Sequence, residues 1–142
     1  MTGIQALLAF AAWTLFLPMI YAGYRTWLVL TGKKRADAWT RGQPTDDPGF
    51  IVRASHAHAN CVENLPVFAA VVLAAVALGQ SAVVDALAVY FIAARLAQSI
   101  VHMIAVNHWA VFIRANFFFV QVGLLFYWVW KLCCAAAPVA NV

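Results

Sequence analysis

Charge is scarce in this chain. Of 142 residues only 10% are Asp, Glu, Lys or Arg, and acids are the scarcer sign, five against nine bases. An average soluble domain carries about 25% charged residues, so a water-soluble globular fold is excluded. Disorder is excluded as well, because it needs low hydrophobicity and high charge. Cysteine is confined to Cys61, Cys133 and Cys134, with no CxxC pair and no His/Cys ligand spacing. The adjacent Cys133 and Cys134 read as lipid-facing filler, and no metal site is expected. What is abundant is apolar side chain: 65% of the residues, 14% aromatic, with a mean hydropathy of +0.84. One integral membrane domain remains. At about 20 apolar residues per span the chain has room for four helices, far too few for a twelve-helix transporter.

Four apolar segments carry that expectation, at roughly 4–30, 51–78, 82–106 and 109–137, with a polar loop over 31–50. Backbone in lipid must satisfy its own hydrogen bonds, so the segments are helices and the fold class is all-α. The first segment has no basic residue ahead of it and reads as a retained helix, not a cleaved signal. The formal charge of +4 and pI near 9.3 matter less than position. Lys33, Lys34, Arg35 and Arg41 fall between the first and second apolar segments, with Arg53 at the very start of the second. That pattern marks a cytoplasmic loop under the positive-inside rule and not a nucleic-acid patch. The turn near Asn107 belongs to the same side, with both termini on the other.

The polar residues inside the spans are the informative ones, since an ionisable group at membrane depth persists only when paired or facing a cavity. At 100° per residue, Arg53, His56, Asn60, Glu63 and Asn64 fall within an arc of about 100° on the second helix. His58 points the other way and is expected either to pack on a neighbouring helix or to snorkel toward the loop. Arg95, Gln98, Ser99 and His102 share one face of the third helix, and Arg114 and Gln121 lie about 20° apart on the fourth. Interhelical hydrogen bonding alone would account for a single Glu–Arg pair. Here Arg53, Arg95 and Arg114 face one carboxylate, Glu63, and surplus guanidinium in a membrane calls for an anionic ligand, which Arg binds with a bidentate fork. Asp46 and Asp47 read as loop-solvating charges, with assistance to proton transfer as the alternative role for an acid there. Arg25 either snorkels to the headgroups or lines the same cavity.

The run Arg53-Ala-Ser-His-Ala-His-Ala-Asn60-Cys-Val-Glu63-Asn-Leu-Pro66-Val-Phe68 resembles the second-helix motif of the MAPEG family, the membrane-associated proteins in eicosanoid and glutathione metabolism. Ala94-Arg95, the basic first loop and Arg114 at the start of the last helix fit as well, in order and over nearly the whole length. The chain departs from the pattern at His56, where a second arginine is usual. It departs again at Gln98 and His102, where tyrosines are common, and at Phe117-Phe118-Phe119, which carry no hydroxyl.

The resemblance implies a single domain over 1–142, an integral membrane four-helix bundle assembled as a homotrimer, with glutathione bound between subunits near the cytoplasmic side. Asn60 and Glu63 would contact the glutathione backbone and Arg35 would hold a carboxylate from the adjacent subunit. Arg53, His56, Arg95, Gln98 and His102 complete the expected binding set, and His102 takes over a hydrogen bond from an absent tyrosine. Arg114 would be the catalytic residue, beside the sulfur and favouring its thiolate. The implied activity is a glutathione transferase or peroxidase acting on a lipophilic small molecule, in a bacterial inner membrane. Two other readings stand beside it: a non-catalytic lipid-binding or adaptor member of the same fold, and a small helical bundle whose charges only pair internally.

Overall fold

The computed structural model describes residues 1–40 and 44–136. Among them every regular element is helical: α1 Gly3–Leu30, α2 Gly49–Ala77, α3 Ser81–Asp85, α4 Ala88–Ile104 and α5 His108–Ala136, with a short 3-10 turn at Ala36–Trp39 in the first loop. Local chemistry sets the ends. Thr2 Oγ1 accepts the Gln5 N–H at 3.1 Å while Gln5 Oε1 accepts the Thr2 N–H at 3.0 Å, a capping box that satisfies two orphan donors of α1. α1 and α2 both stop at a glycine with positive φ, Gly32 at +68° and Gly79 at +66°. At each, the next residue's N–H reaches back five residues, Lys33 to Leu28 O and Gln80 to Ala75 O, both under 3 Å. That is the Schellman closure, and glycine takes the left-handed position without a Cβ penalty.

α1, α2 and α5 have 28, 29 and 29 residues, each with an 18-residue window of mean hydropathy between 1.6 and 1.8. At 1.5 Å per residue each is about 42 Å long, more than the ~30 Å of hydrocarbon in a bilayer. Large apolar side chains such as Leu8, Leu15, Phe119 and Phe126 lie on the outside, between 64% and 72% exposed. Lipid is the solvent such a surface requires, and the protein is an integral membrane protein.

The expected continuous third span, 82–106, divides. α3 ends at Asp85, a turn occupies Ala86 and Leu87, and α4 continues for 17 residues. Asp85 and its neighbour are held from outside the segment: Asp85 Oδ1 accepts the Gly3 N–H at 2.5 Å, and Val84 is buried. A continuous apolar run gives no sign of a break imposed by contact with the start of α1. The second helix also begins two residues earlier than expected, at Gly49, and Ala137 of the last segment lies outside the described residues.

α1, α2, α4 and α5 share one core. Phe10, Phe68, Phe91 and Trp128, one from each, are all buried. Phe68 and Phe91 stack at 4.1 Å between centroids, and Phe10 and Trp128 close on them at 5.7–6.1 Å. Such pairs add about 0.5–1.5 kcal/mol each beyond burial. Pro18 and Pro66 both lie inside continuous helices. The Asp85–Gly3 bond joins the two elements at one end of the molecule. At the other end, Arg53 Nε donates to the Met103 carbonyl at 2.8 Å, tying the start of α2 to the last turn of α4. The first loop and the α4–α5 turn therefore lie at the same end, and the site is built just beneath them.

Candidate functional site

A cavity of about 420 Å³ opens between α2, α4 and α5. α2 lines it with His56, Ala59, Asn60 and Glu63, spaced three and four residues apart so that they stack on one helical face. Gln98 and His102 line it from α4, one turn apart. α5 closes it with Val111, Arg114, Ala115 and Phe118. Its chemistry is an apolar wall on the α5 side carrying one guanidinium, set against amide, imidazole and carboxylate groups from the other two helices. The His56 and His102 rings stand 6.3 Å apart across it. Glu63 is exposed in the single chain, and among the described residues neither it nor Arg53, Arg95 or Arg114 forms an ion pair.

Six of the nine expected residues thus meet in one place: His56, Asn60, Glu63, Gln98, His102 and Arg114. Arg53 lies on the same arc, but its guanidinium turns to the Met103 carbonyl. Arg95 sits behind the cavity, 1% exposed, with Nη1 donating to Asn60 Oδ1 at 2.6 Å and the Phe10 ring 5.0 Å from its carbon Cζ. Its Nε and Nη2 are buried without a partner. Arg35 lies outside the cavity of this chain, on the exposed loop, where Asp37 accepts from its Nη2 and Nε at 2.9 and 3.0 Å. Such an exposed pair is worth little. The expected single carboxylate buried among three arginines is not what forms: Glu63 is exposed, and among the described residues Arg114 is the one arginine that lines the cavity.

Sequence periodicity passed over Ala59, Val111, Ala115 and Phe118, which line the cavity as apolar residues on apolar helices and carry no signal of their own. It also passed over Gln121 as a site residue. Gln121 is buried behind the cavity, donating from Nε2 to Gln98 Oε1 at 2.9 Å and to the Phe117 carbonyl at 2.8 Å.

A second cavity, about 710 Å³, lies across the α2 ridge of His56, Ala59 and Glu63 and reaches Tyr21 and Arg25 on α1. His58 faces it and, as expected, packs on a neighbouring helix: its Nδ1 is 2.9 Å from the Tyr21 hydroxyl. Arg25 neither snorkels freely nor stands alone. It donates to Asp47 from Nε at 2.9 Å and from Nη2 at 2.8 Å, between the faces of Tyr21 and Trp39. Asp47 is therefore not the solvating charge its sequence position suggests, because its side chain is wholly buried. Burial pushes the Asp47 carboxyl up, but hydrogen bonds from Trp39, Arg25 and Thr45 and the Arg25 charge outweigh it and hold it below the usual carboxylate value. Asp46, fully exposed, is lowered first by its hydrogen bond from Lys34.

Comparison with known proteins agrees with the motif on α2. The model of the MAPEG family matches residues 4–134, a stretch that takes in all the described helices up to the last turn of α5. No curated protein sequence and no solved structure matches the chain. The match, the long apolar helices and the polar cavity opening beside Asn60 and Glu63 agree, and the chain belongs to the MAPEG family.

Proposed function

We propose that the protein is a membrane glutathione transferase, built as one domain of four spans over 1–142 and working as a homotrimer. The family is generally associated with glutathione and its members are typically trimeric. The observation that carries the reading is Arg114: a guanidinium lining a cavity in a membrane protein, with no acid paired to it among the described residues. A buried or half-buried cation left unpaired is costly in low dielectric, and an anion entering the cavity removes that cost. Glutathione, an anion with a thiol, supplies when bound a thiolate that attacks an electrophilic carbon of a lipophilic substrate, or reduces a peroxide.

The residues present fit such a guest. Glu63 is an acceptor for an ammonium group, while His56, Asn60, Gln98 and His102 offer hydrogen bonds along its length. Arg114 favours a thiolate over a thiol. A thiol of pKa about 8.5 needs a depression of roughly 2 units to be mostly ionised at pH 7, which is about 2.7 kcal/mol of preferential stabilisation. One guanidinium in a water-poor pocket can supply that. Val111, Ala115 and Phe118 keep the sulfur side apolar, toward lipid. Arg35, exposed at the loop and held there only by Asp37, exchanges that weak surface pair for the carboxylate of a guest bound at a neighbouring protomer, and Arg53 and Arg95 hold the walls in place. The basic loop is assigned to the cytoplasmic side of a bacterial inner membrane, with both termini opposite.

Titrating the detergent-solubilised protein with glutathione by calorimetry tests the reading, together with conjugation of 1-chloro-2,4-dinitrobenzene. Binding and turnover support it. Binding without turnover favours the non-catalytic lipid-binding or adaptor reading, for which the cavity has one observation: Phe118 faces it where a hydroxyl would assist the sulfur. Absence of both removes the glutathione reading.

A further inference from the structure

The amide groups behind the cavity are ordered in one direction, and the order decides what Asn60 offers a ligand. At one end stands the Phe117 carbonyl, which only accepts, taking a hydrogen bond from Gln121 Nε2 at 2.8 Å. The same nitrogen donates to Gln98 Oε1 at 2.9 Å. That leaves Gln98 Nε2 facing Asn60 Oδ1, at 3.4 Å. At the other end stands Arg95, which only donates, and it gives Asn60 Oδ1 its short 2.6 Å bond. An Asn or Gln side chain is otherwise free to be turned about, oxygen for nitrogen. Here the two ends leave no choice. Turning Gln121 would set its oxygen against the Phe117 carbonyl, and turning Asn60 would set its NH2 against a guanidinium. The cost of holding this order is visible in Gln121 Oε1 and in Arg95 Nε and Nη2, all buried without partners.

We infer that Arg95 and Gln121 are positioning residues that present the Asn60 NH2 to the cavity as a donor, so that this wall selects a carbonyl or carboxylate and rejects an ammonium. Asn60 lines the cavity, its Oδ1 is occupied on the far side, and its Nδ2 is not among the buried unpartnered atoms. The electropositive selection extends the reach of Arg114 across the cavity and leaves Glu63 as the acceptor for an ammonium. The inference rests on the glutathione reading only for its probe.

Asn60→Asp separates the alternatives by the sign of its effect. The variant keeps the shape and gives Arg95 a carboxylate, so thermal stability holds or rises, while the donor toward the cavity is lost. Glutathione affinity by calorimetry should fall at least tenfold, a usual cost for losing one hydrogen bond to a charged group. Were Asn60 an acceptor for the ligand's ammonium, the same variant would bind more tightly, and that result overturns the inference. Gln121→Glu, which touches no ligand, should reverse Gln98 and weaken binding several-fold. A second arm needs no ligand: in ¹⁵N–¹H spectra of the full chain in detergent, side-chain amides are assigned by their loss in the Asn60→Asp and Gln121→Glu variants. The Asn60 pair should exchange with water while the Gln121 pair stays protected; a protected Asn60 pair overturns the orientation. If the wild type binds no glutathione, the functional reading fails and the amide spectra still decide the inference.

Discussion

Arg25 and Arg114 line two cavities that share the wall of His56, Ala59 and Glu63, yet the two arginines meet opposite conditions. Arg25 is neutralised within the chain: it donates twice into the Asp47 carboxylate, Trp39 donates into the same carboxylate at 2.9 Å, and Lys34 pairs with Asp46 beside them. Arg114 has no acid partner among the described residues, and the carboxylate nearest in role, Glu63, stands exposed on the facing helix. Polar groups in the first region complete one another and fold a loop. Those in the second are arranged but incomplete. The difference teaches that surplus positive charge is not in itself a site; what matters is whether the chain brings its own acid to the charge.

The comparison is most exposed at Arg114. Arg114→Ala should lower kcat for conjugation at neutral pH about 25-fold, because a thiol pKa returned by roughly 2 units to about 8.5 leaves only about 3% thiolate at pH 7, with the oligomer unchanged in size. The defect should narrow as pH rises above the free thiol's pKa, and a rate that stays at the wild-type level throughout would break the contrast.

On the other side, Asp47→Asn leaves Arg25 without its counter-charge. Because Arg25 keeps about a quarter of its side chain open to solvent, the cost should lie below the roughly 3–5 kcal/mol of a fully buried broken pair, at about 2 kcal/mol. Hydrogen exchange of the Thr45, Asp46 and Asp47 amides should then quicken by tenfold or more, while glutathione affinity stays near the wild-type value; a change confined to affinity would mean the two regions are one site.

Glu63→Gln should weaken glutathione roughly tenfold by removing an ionic acceptor. Unaltered affinity in calorimetry would return Glu63 to a structural role.

The smallest effect is that of acid. Asp47 has its folded pKa lowered, so the stability it contributes is complete above pH about 4 and is lost as pH falls through that lowered value. Loop exchange, corrected for its intrinsic pH dependence, should be flat from pH 8 to about 5 and rise only in stronger acid. A transition near pH 6 would place the control of the loop on a histidine instead.

Much of the cavity was legible in advance because a helix repeats every 3.6 residues, so His56, Asn60 and Glu63 had to share a face wherever α2 was placed. The arc does not say which partner claims each group. Arg53 lies on that face, yet the end of α4 passes close enough for its carbonyl to take the guanidinium. Arg95 lies with Gln98 and His102, yet it is drawn into the core behind Asn60. Asp46 and Asp47 are adjacent in a loop, and only the docking of that loop on α1 makes one exposed and the other wholly buried. The break at Ala86 and Leu87 was hidden for the same reason, since Asp85 answers to Gly3, more than eighty residues away.

Composition and periodicity settled by themselves that the chain is helical, lies in a membrane and carries polar stripes which lipid will not solvate, because burial of backbone and charge in hydrocarbon admits few other solutions. The direction of each hydrogen bond, and with it the separation of a self-neutralised loop from an unfilled cavity, was decided only when the helices packed. A donor's choice among acceptors depends on distances of a few ångströms between elements far apart in the chain.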